Sequence, residues 1–468
     1  MPCLFMSAIE LAEAIRRKKF SVTEIISAHL AQIHVTNPKI NAMLACYNER
    51  ALAQAKQADD ALAKGQAKGA LFGVPFTLKD FFETAGDVTT GGTLGLMRHI
   101  SQHDATVAKR LKNAGAILLG KTNLPEWGLA ADTDNLIIGK TVNPFDLNRS
   151  SGGSSGGEAA MIAAGGSAFG IGSDSGGSIR IPAHYCGIAG LRPCLGRIAK
   201  TGFISGALKG PVTLGTIGPL ARKVADLRLI MSLITGADDM DPAALPLAWP
   251  NNPTNFRHLK IAYFSENKVA KPTADTIDAI KVAVQIAKDE GATVVEHCPP
   301  IENGLELCWQ LIGAIGEQSY RRVLEKLGTQ QIAPLTEKFL QIVAPYVCNL
   351  EQFFQRFAEW ENYKNRLYEF MQPYDAIICP VTATPAIPKQ HVLLDAENPQ
   401  LLAGFSYCTS FSLVNFPVAV IRTNTSQEGL PIGVQIIAKP WREDMALNIA
   451  ERLETQLGEW PRPTFREK

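Results

Sequence analysis

Residues 150–180 read SSGGSSGGEAAMIAAGGSAFGIGSDSGGSIR, glycine–serine clusters with apolar segments spliced between them. A flexible linker of such composition has no use for Met161-Ile162 or for Phe169-Gly170-Ile171, because a solvated coil gains nothing from large apolar side chains. Glycines set this closely against core segments instead let backbone N–H groups converge on one point. Such an arrangement binds an anion or stabilises an oxyanion as it forms. The body around it must be well packed. With 468 residues, 46% of them apolar, the chain has the material for a large core. At roughly 150 residues per domain the length suits two or three domains, or one domain built on a continuous sheet.

Two familiar motifs are imitated here and fail on context. GIGSDSG at 170–176 resembles a dinucleotide fingerprint with one residue too many, but Pro182 interrupts the helix that should follow, and no acid stands about 20 residues on to meet a ribose. GGSSG at 152–156 satisfies G-x-S-x-G letter for letter. A nucleophile elbow follows a buried strand directly, whereas NPFDLNR at 143–149 reads as loop, and His258, His297 and His391 have no context to mark a triad base.

Upstream lies GVPFTLKDFF at 73–82, a single lysine among apolar residues. A charged lysine buried there is costly. It either reaches solvent or pairs with an acid such as Asp80, or its amine is held neutral by desolvation and can accept a proton.

The rest of the chain reads as alternating strands and helices, which argues for an α/β architecture. Ser7 with Glu10 and Ser21 with Glu24 have capping-box spacing, and 48–63 completes an amino-terminal helical segment, residues 1–65, expected to pack on the core. Strands are expected at 74–78, 116–119, 259–264, 292–296, 376–379, 417–421 and 433–438, with helices at 104–114, 274–290 and 443–457. The Pro-, Asp- and Asn-rich stretch 237–256 reads as a surface connection. No repeat of 20–50 residues is present.

Charge and cysteine usage exclude other classes. With 46 Lys+Arg against 45 Asp+Glu, no long-range field gathers phosphate backbones or anionic lipids; no nucleic-acid partner is expected. No apolar run approaches the ~18 residues of a membrane span. Nine cysteines without a C-x-x-C pair suggest neither a zinc framework nor a disulfide scaffold, so a reduced, cytoplasmic protein without a metal is expected.

Taken together, Lys79 in GVPFTLKD, GGSSGGE at 152–158 and GSDSGGSIRIPA at 172–183 resemble the amidase signature family of Ser-Ser-Lys hydrolases. The two serines stand 24 positions apart, and GAILLGKTN at 115–123 and CGIAGLRP at 186–193 match as well. The resemblance is dense over 70–225, returns at 429–444 and is weak between. It implies one large catalytic domain, 66–460, with a mixed central β-sheet covered by α-helices on both faces and a substrate-pocket region at about 240–415. It also implies Ser178 as nucleophile, Ser154 as bridging serine on a cis peptide, Lys79 as terminal base, and the N–H groups of Ser175, Gly176, Gly177 and Ser178 as oxyanion hole. Ser175 stands where the family usually has threonine, and its hydroxyl is expected on Lys79. Asp174 and Arg180 are expected to tie the loop as an ion pair, and His184 and Cys186 to be packing residues.

The resemblance leaves the amide open. Trp127 and Gly128 in LPEWG, with Ser154, are expected at a pocket of the free-standing amidase kind, and the aromatic content of 300–415 favours an apolar acyl group. The alternative is the glutaminase chain (the A component) of a tRNA-dependent amidotransferase. Against it, 335–342 carries no arginine and 405–417 no acid. A catalytically silent binding protein on this fold is the second alternative. The expectation is a stand-alone amidase acting on linear, small-molecule amides, with esterase side activity, without cofactor, as monomer or homodimer.

Overall fold

The computed structural model describes residues 2–204, 214–250, 252–392, 394–395, 397–459 and 461–467. Its strands are β1 (Met43–Cys46), β2 (Pro75–Lys79), β3 (Ile117–Thr122), β4 (Val142–Asn143), β5 (Asp146–Ser150), β6 (Phe169–Asp174), β7 (Ala189–Arg192), β8 (Thr216–Ala221), β9 (Lys260–Tyr263), β10 (Thr293–Glu296), β11 (Ala376–Pro380), β12 (Val418–Thr425) and β13 (Pro431–Ala438). Eleven form one sheet in the order β1-β3-β2-β6-β8-β7-β12-β13-β11-β9-β10, while β4 and β5 make a separate ribbon. The sheet is mixed: β2 runs parallel to β3 and β6, and β9 to β10 and β11, with antiparallel pairs between.

Every residue of β2, β3, β6, β8 and β13 is buried. That follows from helices flanking the sheet, which remove the need for a polar alternate position. Helix Gly156–Ala163 packs against β2, β3, β6 and β8, and helices Ala274–Asp289 and Glu443–Leu457 against β12 and β13. Both expected capping boxes are present, at Ser7–Glu10 and Ser21–Glu24.

Two expectations change. The segment 1–65 does more than pack on the core, because β1 joins the sheet antiparallel to β3, with Met43 opposite Thr122. And 143–149 is not plain loop: β5 occupies 146–150, in the two-stranded ribbon and outside the main sheet.

Three neighbouring parallel strands, β3-β2-β6, end together at Thr122, Lys79 and Asp174, with Lys79 in register with Thr122. In open α/β sheets the carboxyl ends of such strands are where ligands bind. All the elements that carry the flagged residues converge there. Among the described residues no helix is long and apolar enough to cross a membrane, and no group of three or more His, Cys, Asp or Glu is placed to hold a metal ion.

Candidate active site

Lys79 is the last residue of β2 and is fully buried. Its Nζ donates to Ser154 Oγ at 2.6 Å, Ser173 Oγ at 3.0 Å and Ser155 Oγ at 3.2 Å. Asp80, the neighbour that a salt-bridge reading of Lys79 would use, is turned to Lys121 at 3.5 Å. Burial pulls the Lys79 amine down to about 7, against the opposing pull of Asp174 and Glu158. A substantial fraction of a lysine in this state is neutral at physiological pH, and three hydroxyls hold its nitrogen in place.

Ser154 follows a cis peptide bond from Gly153 and precedes helix Gly156–Ala163. The next residue, Ser155, ties this turn to the other glycine cluster, its N–H donating to the carbonyl of Ser178 at 3.1 Å. Ser178 is half-buried. Among the described residues its hydroxyl has no hydrogen-bond partner, so Lys79 and Ser154 are joined directly and Ser178 is brought beside them through the backbone.

The loop 174–180 is shaped by Asp174. Its carboxylate accepts the N–H of Gly177 at 2.8 Å and of Ile179 at 3.1 Å, and both Nε and Nη2 of Arg180 at 3.0 Å. Burial alone would raise this carboxyl, but Arg180 and then Arg192 hold it down at about 2. Arg180 also donates to Cys408 O and Ser412 Oγ, fixing the loop to helix Ser406–Ser412. The ion-pair expectation for these two residues describes this geometry. Gly177 sits at φ 131°, a conformation nearly reserved for glycine. Because its N–H is given to Asp174, the other expected oxyanion donors, Ser175, Gly176 and Ser178, are the N–H groups of the loop that have no acceptor among the described residues. Asp174→Ala leaves two buried arginines unneutralised and is expected to cost about 3–5 kcal/mol of stability, read as a lowered urea midpoint.

Ser175 departs from expectation. It is exposed, and its Oγ points toward Gly215, 2.8 Å from where a Cβ there would stand, while Ser173 and Ser155 supply the further hydroxyls on Lys79. The cause is strand alternation: side chains two apart share a face, and the strand ends at Asp174, so the chain has turned away before Ser175. His184 is a strut, accepting the Gly433 N–H at Nδ1 and bonded through Nε2 to Thr384 O; burial pulls its imidazole down to about 4. Cys186 is buried and packs on the Ser151 carbonyl.

Glycines of β6 that looked like an anion nest have another use. A Cβ on Gly170 would lie 1.7 Å from Glu158 Oε1, and one on Gly172 2.7 Å from Ser155 Oγ. They are vacated space for side chains of the covering helix and its cap.

Beside Lys79 lies an aromatic wall. Trp127 is 4% exposed, meets Phe81 edge-on at 5.9 Å, and Phe81 meets Phe203 in the same way at 5.4 Å. Trp127 takes φ 52°, a region side chains avoid, and its N–H is anchored on the Gly91 carbonyl at 2.7 Å. A Cβ on Gly128 would meet the Phe81 ring at 2.6 Å and Ser154 Oγ at 3.4 Å, so Gly128 keeps the approach to Ser154 open. From the other side Phe405, stacked on Trp309 at 6.0 Å, comes within 3.2 Å of a Cβ on Gly176.

A family model described as Amidase matches residues 24–447. The chain belongs to the amidase signature family. It is 32% identical over 481 residues to the A chain of the glutamyl-tRNA(Gln) amidotransferase of Heliobacterium modesticaldum, covering 97% of each protein. It is 31% identical over 463 residues to the indoleacetamide hydrolase of Bradyrhizobium diazoefficiens, covering 97% of this chain and 86% of that one. Fatty acid amide hydrolase shares the fold, with a TM-score of 0.87 at 24% identity over 98% of this chain and 86% of that one. The chain is an amidase signature hydrolase, an enzyme of amide C–N bonds. Within the family frame, Ser155, Ser173 and Glu158 are the site neighbours that sequence reasoning missed. Ser155 adjoins Ser154, Ser173 stands two positions before Ser175, and Glu158 is a lone acid in the apolar run GEAAMIAAG.

Proposed function

We propose that the chain is a stand-alone Ser-Ser-Lys amidase acting on a small-molecule linear amide with a neutral, apolar acyl group. The observation that carries the reading is the buried amine of Lys79 held 2.6 Å from Ser154 Oγ, beside a loop of unpaired N–H groups. Ser178 Oγ attacks the amide carbon and passes its proton to Ser154 Oγ, as Ser154 passes its own to Lys79 Nζ. The carbonyl π pair moves onto oxygen, which the N–H groups of Ser175, Gly176 and Ser178 receive, with Gly177 setting the turn that presents them. The Ser154–Ser178 hydrogen bond of this relay forms when substrate fills the site, since catalytic hydrogen bonds are completed in the bound complex. Run backwards, the relay protonates the departing nitrogen, the C–N bond breaks, and the acyl group stays on Ser178. Water, activated by the same relay, then releases the acid.

Walls formed by Phe81, Trp127 and Phe405 favour an apolar acyl group over the charged ammonium and carboxylate of glutamine. Three charged side chains on the neighbouring elements are already occupied: Glu126 by Thr93 Oγ1 and the Ala333 N–H, Arg321 by Glu337 and Lys338 by Asp395. The name of the indoleacetamide hydrolase relative points the same way. The reading needs no metal, organic cofactor or partner protein, the chain working in the cytoplasm as a monomer or homodimer. It extends to esters, whose leaving group is easier.

The test is ammonia release by the isolated chain from indole-3-acetamide, phenylacetamide and glutamine. Arylacetamides are expected to exceed glutamine in kcat/KM by at least about 100-fold, since glutamine's charges would be desolvated without partners. A preference for glutamine would overturn the acyl assignment and favour the amidotransferase reading.

A further inference from the structure

The relay does not use Glu158, which is nonetheless fully buried next to it. It stands in the first turn of helix Gly156–Ala163. Thr77 Oγ1 donates to its Oε1, and Thr122 Oγ1 donates to its Oε2 at 2.6 Å. Thr77 is two residues before Lys79 on β2 and therefore on the same face, and Thr122 is the residue in register with Lys79 on β3. On the third strand, Gly170 leaves the space that the carboxyl fills. Three adjacent strands are thus shaped to hold one acid on the lysine's face of the sheet.

We propose that Glu158 is a positioning residue for Lys79: its carboxyl supports positive charge on the lysine and so keeps a buried amine basic enough to draw a proton through the two serines. This rests on the reading of Lys79 as the terminal base. A buried lysine with no acid near it loses basicity to desolvation, and a general base works best with an affinity matched to the operating pH. The charged groups that face the pair are few. From β6 Asp174 also supports the lysine, but Arg180 and Arg192 neutralise it; Lys121 of β3 is committed to Asp80. Glu158 has no arginine, and Lys79 is the cation acting on it. Burial raises its carboxyl while the hydroxyls of Thr122 and Thr77 and the charge of Lys79 pull it back, so an ionised Glu158 and a protonated Lys79 favour each other.

The experiment is the rate of labelling by an alkyl fluorophosphonate, followed by intact mass between pH 5 and 9, for wild type, Glu158→Gln and Thr122→Val. Wild-type labelling is expected to rise through a midpoint near the lysine's value of about 7. Glutamine preserves the shape, with one threonine hydroxyl donating to its oxygen and the other turning to accept from its NH2, but it cannot ionise, so the midpoint is expected to fall by about half a pH unit or more, with a plateau lowered severalfold by the weaker base. Thr122→Val removes a donor that supports the carboxylate and is expected to move the midpoint the same way by less. A purely structural Glu158 would leave both midpoints where wild type has them, and that result in folded variants overturns the inference. Wild type that takes no label overturns the reading of the site itself, before Glu158 is in question.

Discussion

Ser178→Ala is expected to lower kcat on an arylacetamide by about 10⁶, the scale found when a serine hydrolase loses its nucleophile, with almost no change in stability. The Ser178 side chain is half-buried and its hydroxyl bonds to nothing else among the described residues, so truncation leaves no orphaned partner. A change of that kind is worth within about 0.5 kcal/mol. The backbone contact to Ser155 and the oxyanion donors survive in the variant. Activity within tenfold of wild type, in a sample with an unchanged urea midpoint, would place the nucleophile elsewhere.

Lys79→Ala is expected to lower kcat/KM by about 10²–10⁴, the usual worth of a positioned general base. The pH dependence separates a base from a mere cation. The neutral amine is the active form, so wild-type activity rises with pH through the lysine's value of about 7 and falls below it. The alanine variant loses that limb along with the rate. Lys79→Arg keeps a donor and a permanent positive charge but cannot be deprotonated in a protein, so it too is expected to be inactive. Substantial rescue by arginine would show that the position needs charge, contradicting the proton relay.

Much of this is legible in the sequence itself. Strands covered by helices on both faces produce uninterrupted apolar runs whatever their direction, which is why β2, β11, β12 and β13 fall where the sequence suggests. Helix Glu443–Leu457 has the bounds that the sequence suggests, because an amphipathic period of that length has no competing explanation. β1 escaped notice as four residues, MLAC, between two helices; only its pairing with β3 defines it.

At the site, residue types were readable and side-chain directions were not. The further hydroxyl groups around Lys79 come from Ser155 and Ser173, whereas Ser175 points away. That choice depends on where β6 stops alternating, a boundary that local pattern leaves uncertain by more than one residue. The far wall is less legible still, since Phe405 reaches the loop at Gly176 from more than 200 positions away. Gly170 and Gly172 carried a misleading signal, for space left for a neighbour's side chain and a turn open to a ligand are both written as glycine.

Everything proposed for the site turns on Ser178 as the nucleophile of a lysine-driven relay. The most direct test of that role is to treat the wild-type chain with a fluorophosphonate, digest it, and locate the modified residue by mass spectrometry. A single phosphonyl group, with fluoride lost, is expected on Ser178. A phosphonyl group on Ser154, Ser155, Ser173 or any residue outside the 174–180 loop would contradict that role.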